Sequence, residues 1–327
     1  MKIKDEIWIL ADNRPGTFSQ SIGLAEELGM EYKIITLSYS IFSYLPNFFL
    51  SNSLLRIPTI LRNKITSMGY LPKLIISAGR RSAPIALNLK SQSQNQSKVI
   101  QIMNPNLDFS KFDFVILPKH DEADEAKFPN LITTIGALTR IDEKRLHEEE
   151  EKFPELKKIT KTKIALLVGG NGKKTEFCKS DGANLAKIAS QVTKNMDATL
   201  LILTSRRTSS DLKKSLAANL DCDFQLFDWD LINTANPYLA IVGVADYFIV
   251  TGDSVSMISE CASTGKPLYV FDQKNISSAK HRKFHQNLFT GNYAKKLEND
   301  LKILENFSPK KLQETKRVAS IIKNKIT

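Results

Sequence analysis

Cysteine is scarce: three in 327 residues (Cys178, Cys222 and Cys261), scattered along the chain. So few exclude a disulfide framework or a zinc knuckle and point to a reducing compartment. Long apolar runs are lacking too. The first, from Ile7 to Ala11, ends after five residues at Asp12. That is too short for a signal peptide, and no run approaches the roughly 20 apolar residues of a spanning helix. The expected location is cytoplasmic, including a peripheral position at the inner membrane. Acid is missing from one long stretch: Tyr32 to Leu107 holds no Asp or Glu against nine Lys or Arg.

The sign then reverses, with 13 acids against seven bases over 108–155, and returns to 14 bases against five acids from Cys261 onward. A general solubility bias would not alternate in this way. The blocks predict basic surfaces that face an anionic partner: a nucleotide phosphate, an acidic lipid or a nucleic acid. Hydrophobic residues at 42% and charged residues at 25% are ordinary for a globular chain, which excludes disordered, collagen-like and coiled-coil classes.

Short apolar runs alternate with helical stretches. Strands are expected from Glu6, Lys33, Lys73, Lys98 and Asp113, then from Lys163, Ala198, Asp223, Asp246 and Pro267, with helices over 17–29, 81–90, 181–192 and 254–264. Continuous apolar strands separated by helices mean parallel sheets covered on both faces, so the fold class is α/β with two doubly wound, Rossmann-like domains. The charged run over 148–162, with Pro154 and no apolar period, reads as the connection between a first domain at 1–150 and a second at 160–309. An amphipathic helix over 310–327 follows, expected to join the first domain.

In open parallel sheets ligands bind beyond the carboxyl ends of the strands. Five loops stand there. In the first domain Asp12, Arg14 and Gly16 follow one strand and Gly79, Arg80, Arg81 and Ser82 another. In the second they are Gly169-Gly170-Asn171-Gly172-Lys173-Lys174, then Ser205-Arg206-Arg207-Thr208, then Gly252-Asp253-Ser254-Val255-Ser256 with Glu260 a helical turn on. Glycine lets a backbone approach a ligand, a helix N-terminus holds phosphate, and Arg offers it a forked donor. GGNGKK matches neither the P-loop nor the dinucleotide spacing, and Asp253 and Ser254 read equally as helix caps. His281 and His285 lie four apart on one helix face without a third ligand, so no metal is expected. Residues 41–50, IFSYLPNFFL, are apolar and aromatic inside the acid-free block, the pattern of an interfacial patch or of a lid on the sheet. No nucleic-acid partner is expected, because aromatics do not interleave with the bases.

Several long segments resemble the mitochondrial-fission "extra-long mitochondria" family: ADNRPGTFSQSIGLAEELG from Ala11, AGRRSAPIA from Ala78, LLVGGNGKKTEF from Leu166, and NPYLAIVGVADYFIVTGDSVSMISECASTGKPLYVF from Asn236. The resemblance implies a glycosyltransferase B-like fold with an interdomain cleft. The stretch from Val250 to Phe271 is also similar to the donor region of the peptidoglycan N-acetylglucosaminyltransferase. By that likeness Ser254 and Ser256 serve the diphosphate, Glu260 the ribose, and Asn236 and Tyr238 the base. Gly169, Gly170, Ser205, Arg206, Arg207 and Asp253 complete the nucleotide side. Arg14, Gly16, Gly79, Arg80, Arg81, Ser82, Lys280 and Arg282 are assigned to an anionic acceptor or to the leaving group.

The family's first loop is expected to read D-G-R-P-G-H, whereas Asn13 and Thr17 replace its Gly and His here; Asp12 becomes the candidate base. The implied activity is sugar transfer from a UDP- or GDP-linked sugar, with no tightly bound cofactor, at a cytoplasmic membrane face. The alternatives are a nucleotide-sugar epimerase or hydrolase, and a non-catalytic membrane-associated scaffold. An anionic lipid or a lipid-linked acceptor is the further expected partner.

Overall fold

Along the strand Lys2–Ala11 (β1) side chains alternate between two cores: Ile7, Ile9 and Ala11 enter one, Trp8 and Leu10 the other. This is how a nearly continuous apolar run builds a sheet covered on both faces. The structure is a computed structural model. It describes residues 2–326 apart from 13, 51, 173–174 and 232–234, and apart from the side chains of 15, 48 and 49.

The chain divides into two compact units, Met1–Arg140 with Gln313–Thr327, and Ile141–Leu312. The first runs β1, α1 (Pro15–Leu28), β2 (Tyr32–Thr36), α2 (Thr59–Thr66), β3 (Tyr70–Ala78), α3 (Ala83–Gln92), β4 (Lys98–Ile102), β5 (Phe114–Pro118) and β6 (Leu131–Thr134). The second runs α4 (Glu143–Glu150), α5 (Pro154–Lys157), β7 (Thr162–Val168), α6 (Lys179–Asn195), β8 (Ala198–Thr204), α7 (Ser210–Asn219), β9 (Phe224–Phe227), α8 (Tyr238–Val244), β10 (Tyr247–Thr251), α9 (Val255–Ala262), β11 (Leu268–Phe271), α10 (Ala279–Thr290) and β12 (Lys295–Lys296). The last helix, α11 (Glu314–Ile326), packs on α1 in the first unit.

Each unit holds a six-stranded sheet, and every recorded strand pairing is parallel. The strand orders differ. The first is β2-β1-β3-β4-β5-β6 and the second β12-β11-β10-β7-β8-β9. Counted from β7, the second is the 3-2-1-4-5-6 order of a Rossmann sheet, and the first follows the flavodoxin-like order. The order in which strands are added therefore reverses between β1 and β3 in one sheet and between β7 and β10 in the other. A ligand crevice is expected at each of those points.

The α/β reading of the sequence holds, with three local corrections. The strands β6 and β12 escaped it: LITT is short and half threonine, and β12 is two lysines. The run 148–162 is no open connector. Its α4 packs on α8 in the second unit, and buried Leu146 and Leu156 anchor the charged segment. The units accordingly divide at 140/141, not 150, and the last helix begins at Glu314, not Lys310.

Candidate nucleotide-binding site

At the reversal point of the second sheet, one carboxylate organises three loops. Asp253, whose side chain is 1% exposed, follows β10. Its Oδ2 accepts from the Gly170 N–H at 2.9 Å and from Arg207 Nη2 at 2.6 Å, and its Oδ1 accepts from Thr251 Oγ1 at 2.7 Å. Thr251 Oγ1 in turn accepts from the Gly169 N–H at 2.8 Å. Arg207 also reaches the Gly170 carbonyl. Gly170 is required by packing, because a Cβ there would collide with the Arg207 carbonyl. Ser205 receives the Arg207 N–H at 3.2 Å, and the buried Thr208 hydroxyl donates back to the Gly169 carbonyl at 2.5 Å. The loops after β7, β8 and β10 thus form one hydrogen-bonded cradle. Arg206 stands exposed beside it.

Helix starts converge on the same end of the sheet. Serines cap them: Ser209 for α7, Ser254 for α9 and Ser278 for α10, each accepting a backbone N–H of the first turn. The positive ends of these helix dipoles favour an anion. Ser256 lies half-buried in the first turn of α9. Further along α9, Glu260 accepts a short hydrogen bond from the Tyr238 hydroxyl. Burial, the larger cause, pushes the Glu260 carboxyl up to about 7, against the lowering hydrogen bond from Tyr238 and the charge of Arg145. Burial, then the Glu260 charge, raises Tyr238 well above its ordinary value. Asn236 is exposed and its side-chain oxygen caps the turn into α8, accepting the Tyr238 N–H at 3.0 Å.

Behind the cradle lies a polar cluster that the sequence did not disclose. His285 is fully buried, with its Nδ1 3.2 Å from Asp272 Oδ1. Ser277 is buried beside it, and a Cβ on Gly252 would come within 2.6 Å of Ser277 Oγ and 2.8 Å of the His285 ring. Burial, the largest single cause, raises the Asp272 carboxyl, but His285, Ser277 and Arg282 together hold it below the usual range. Burial, with His285 adding to it, lowers His281. No group of three His, Cys, Asp or Glu among the described residues could hold a metal ion. The only sequence signal for this cluster was the four-residue His spacing.

The residues assigned to an acceptor separate between the units. Lys280 and Arg282 lie on α10 in the second, and Arg282 folds back on the Ser277 and Lys274 carbonyls. The others lie in the first unit, at its own reversal point. There Asp12, 6% exposed, pairs with Arg81 at 3.1 Å and with Arg14 at 3.8 Å and receives the Arg14 N–H at 3.0 Å. The carboxylate is therefore already engaged by two guanidinium groups. Gly16 is exposed in the first turn of α1, Gly79 turns the chain after β3, and Arg80 is exposed. Ser82 does not face a ligand: it is fully buried, and its hydroxyl donates to the Ala78 carbonyl at 2.9 Å. Lys173, Lys174 and Asn13 lie outside the described residues, as do the side chains of Phe48 and Phe49. In the 41–50 patch, Ile41 is 78% and Tyr44 85% exposed, and Ile60 nearby in sequence is 84% exposed.

The comparisons with known proteins agree with this architecture. A family model described as Mitochondrial fission ELM1 matches residues 15–326. An uncharacterized protein of Rickettsia prowazekii is 34% identical over 350 aligned positions covering 97% of both chains. The mitochondrial fission protein ELM1 of Arabidopsis thaliana is 29% identical over 61% of this chain and 51% of its own length. Among solved structures, the UDP-GlcNAc 2-epimerase of Neisseria meningitidis bound to UDP-GlcNAc aligns with a TM-score of 0.53 at 12% identity, covering 98% of this chain and 99% of its own. Os79 of O. sativa in complex with UDP aligns at 0.51 and 10% identity, covering 98% and 91%. The chain shares the α/β fold of these proteins.

Proposed function

The chain belongs to the mitochondrial fission ELM1 family, and we propose that its second unit binds a UDP- or GDP-linked sugar whose glycosyl group the protein transfers. The observation that carries this reading is the Asp253-centred cradle, which fixes Arg207 and the loops that lead into capped helix starts at the reversal point of a Rossmann-ordered sheet. Such a site suits a diphosphate. Glu260, one α9 turn beyond, suits a ribose diol, and Asn236 and Tyr238 border the base. Fold likeness to structures holding UDP-GlcNAc or UDP supports the choice of ligand.

In the transfer, an acceptor oxygen forms a bond to the sugar C1 while the C1–phosphate oxygen bond breaks. The diphosphate leaves with the electron pair and the acceptor proton passes to a general base. Arg206, Arg207 and the positive ends of the α7, α9 and α10 dipoles stabilise the developing charge on the diphosphate. An epimerase or hydrolase would use the same donor site and would form product with no acceptor present.

Calorimetry against UDP- and GDP-sugars tests the donor site. At least one is expected to bind, and Glu260→Ala, which removes an acceptor for the ribose hydroxyls, to weaken it about tenfold. No binding by any of them overturns the reading.

Exposed Ile41, Tyr44 and Ile60, inside the stretch without acid, favour a second contact with an acidic membrane. Among the described residues no helix is long and apolar enough to cross one. The protein is expected to sediment with phosphatidylglycerol vesicles, and Ile41→Ser with Tyr44→Ser to reduce the bound fraction severalfold. Equal sedimentation of the variant removes the patch from consideration.

A further inference from the structure

Arg56 has no exposed surface at all. Its Nη1 donates to the Ser43 carbonyl at 3.2 Å and its Nη2 to the Leu45 carbonyl at 2.6 Å, while its Nε–H has no partner. Among the described residues no carboxylate pairs with it. A buried charge solvated only by dipoles is expensive, and proteins carry one chiefly where something neutralises it.

Its surroundings deepen the imbalance. The Arg81 guanidinium lies 4.4 Å over the ring of Tyr39 and shares Asp12 with Arg14. Asn47 ties the backbone of Arg80 into the same place, its Nδ2 donating to the Arg80 carbonyl at 2.7 Å. The Tyr39 hydroxyl and Asn47 Oδ1 are buried with no partner. Burial lowers the Arg56 pKa, and the charges of Arg80 and Arg81 lower it further. Arg56, Arg80 and Arg81 thus share one neighbourhood, and the carboxylate recorded beside it, Asp12, pairs with Arg81 and Arg14. No acid occurs between Tyr32 and Leu107 to supply another.

We propose that Arg56, Arg80, Arg81 and the Tyr39 hydroxyl form a phosphate-binding site of the first unit, for a phosphate monoester. Counting Arg14, four guanidinium groups against one carboxylate leave room for a dianion, and a hydroxyl beside them supplies a donor for a further oxygen. A carboxylate ligand would neutralise only one charge of that excess. The site needs no nucleotide, so it stands or falls separately from the donor reading. The phosphate reaches it from a soluble ester or from a lipid headgroup.

The test titrates the full chain with inorganic phosphate at fixed ionic strength. Because Arg56 also holds the 43–45 backbone, the test rests on Arg80→Gln, at an exposed position, and on Tyr39→Phe, which keeps the ring under Arg81. Wild type is expected to bind, and each variant to bind about tenfold more weakly. A parallel measurement sediments the protein with phosphatidic acid vesicles against neutral phosphatidylcholine. Phosphate binding without vesicle binding identifies a soluble ester, whereas both, weakened by the same variants, identify a headgroup. No phosphate binding by wild type overturns the site, and so does undiminished binding by Arg80→Gln and Tyr39→Phe.

Discussion

Asp253→Ala is expected to destabilise the second unit by about 2–5 kcal/mol and to abolish nucleotide-sugar binding. The Gly170 N–H and the Thr251 hydroxyl lose their buried acceptor, and each unpaired donor costs about 1–3 kcal/mol. The ion pair with Arg207 is the smaller part, because 38% of that side chain remains in water. Arg207→Met should therefore cost far less than Asp253→Ala, and the two changes should not add, since they share one partner. Urea unfolding of the three variants measures this. A midpoint for Asp253→Ala equal to that of Arg207→Met would mean that the carboxylate does not organise the loops.

The second large effect is a pH dependence. The Glu260 carboxyl titrates near 7 in the folded protein against an ordinary value of 4.5. As pH rises between these values the unfolded chain gives up the proton while the folded chain keeps it. Stability from this group is thus fully present below about 4.5, falls across the window, and stays lost above about 7. Glu260→Gln keeps an acceptor for the Tyr238 hydroxyl and removes the titration. It is expected to match wild type near pH 4 and to exceed it at pH 8 by on the order of 2–3 kcal/mol. Parallel stability curves for the two proteins would remove the argument. A carboxylate that costs stability at neutral pH is what a residue kept for a ligand looks like.

The sheets were legible in the sequence because their signal is local. A run such as KIALLVGG is apolar throughout and ends in glycine, which states both burial and a turn. The corrections fall where that signal fails: a strand of two lysines, and a charged helix with Leu146 as its one buried side chain among the described residues. The loops of the candidate site were legible as loops, since each follows a strand. What they do with their side chains was not. Asp253 reads as a helix cap, and its partners lie 83 and 46 positions away, joined only by the sheet. Ser82 reads as a phosphate ligand until the fold buries it. Arg56 looks like one base among nine, and Tyr39 like one more aromatic. Only three-dimensional packing separates the arginine without exposed surface from those in water.

The first unit closes with residues that are synthesised after the whole of the second. Val318, Ala319 and Ile322 of α11 belong to the same core as Ile22, Leu28 and Ile132, and all three are at most 1% exposed. The second unit is continuous, Ile141–Leu312. On the ribosome the order of maturation is therefore the reverse of the order of translation: residues 1–140 wait with one face of their sheet uncovered while the second unit is completed, and they close only when α11 emerges. During that interval the uncovered face is the surface a chaperone would meet, and a stall in translation after the second unit would leave a nascent chain whose later half is mature and whose earlier half is still a client.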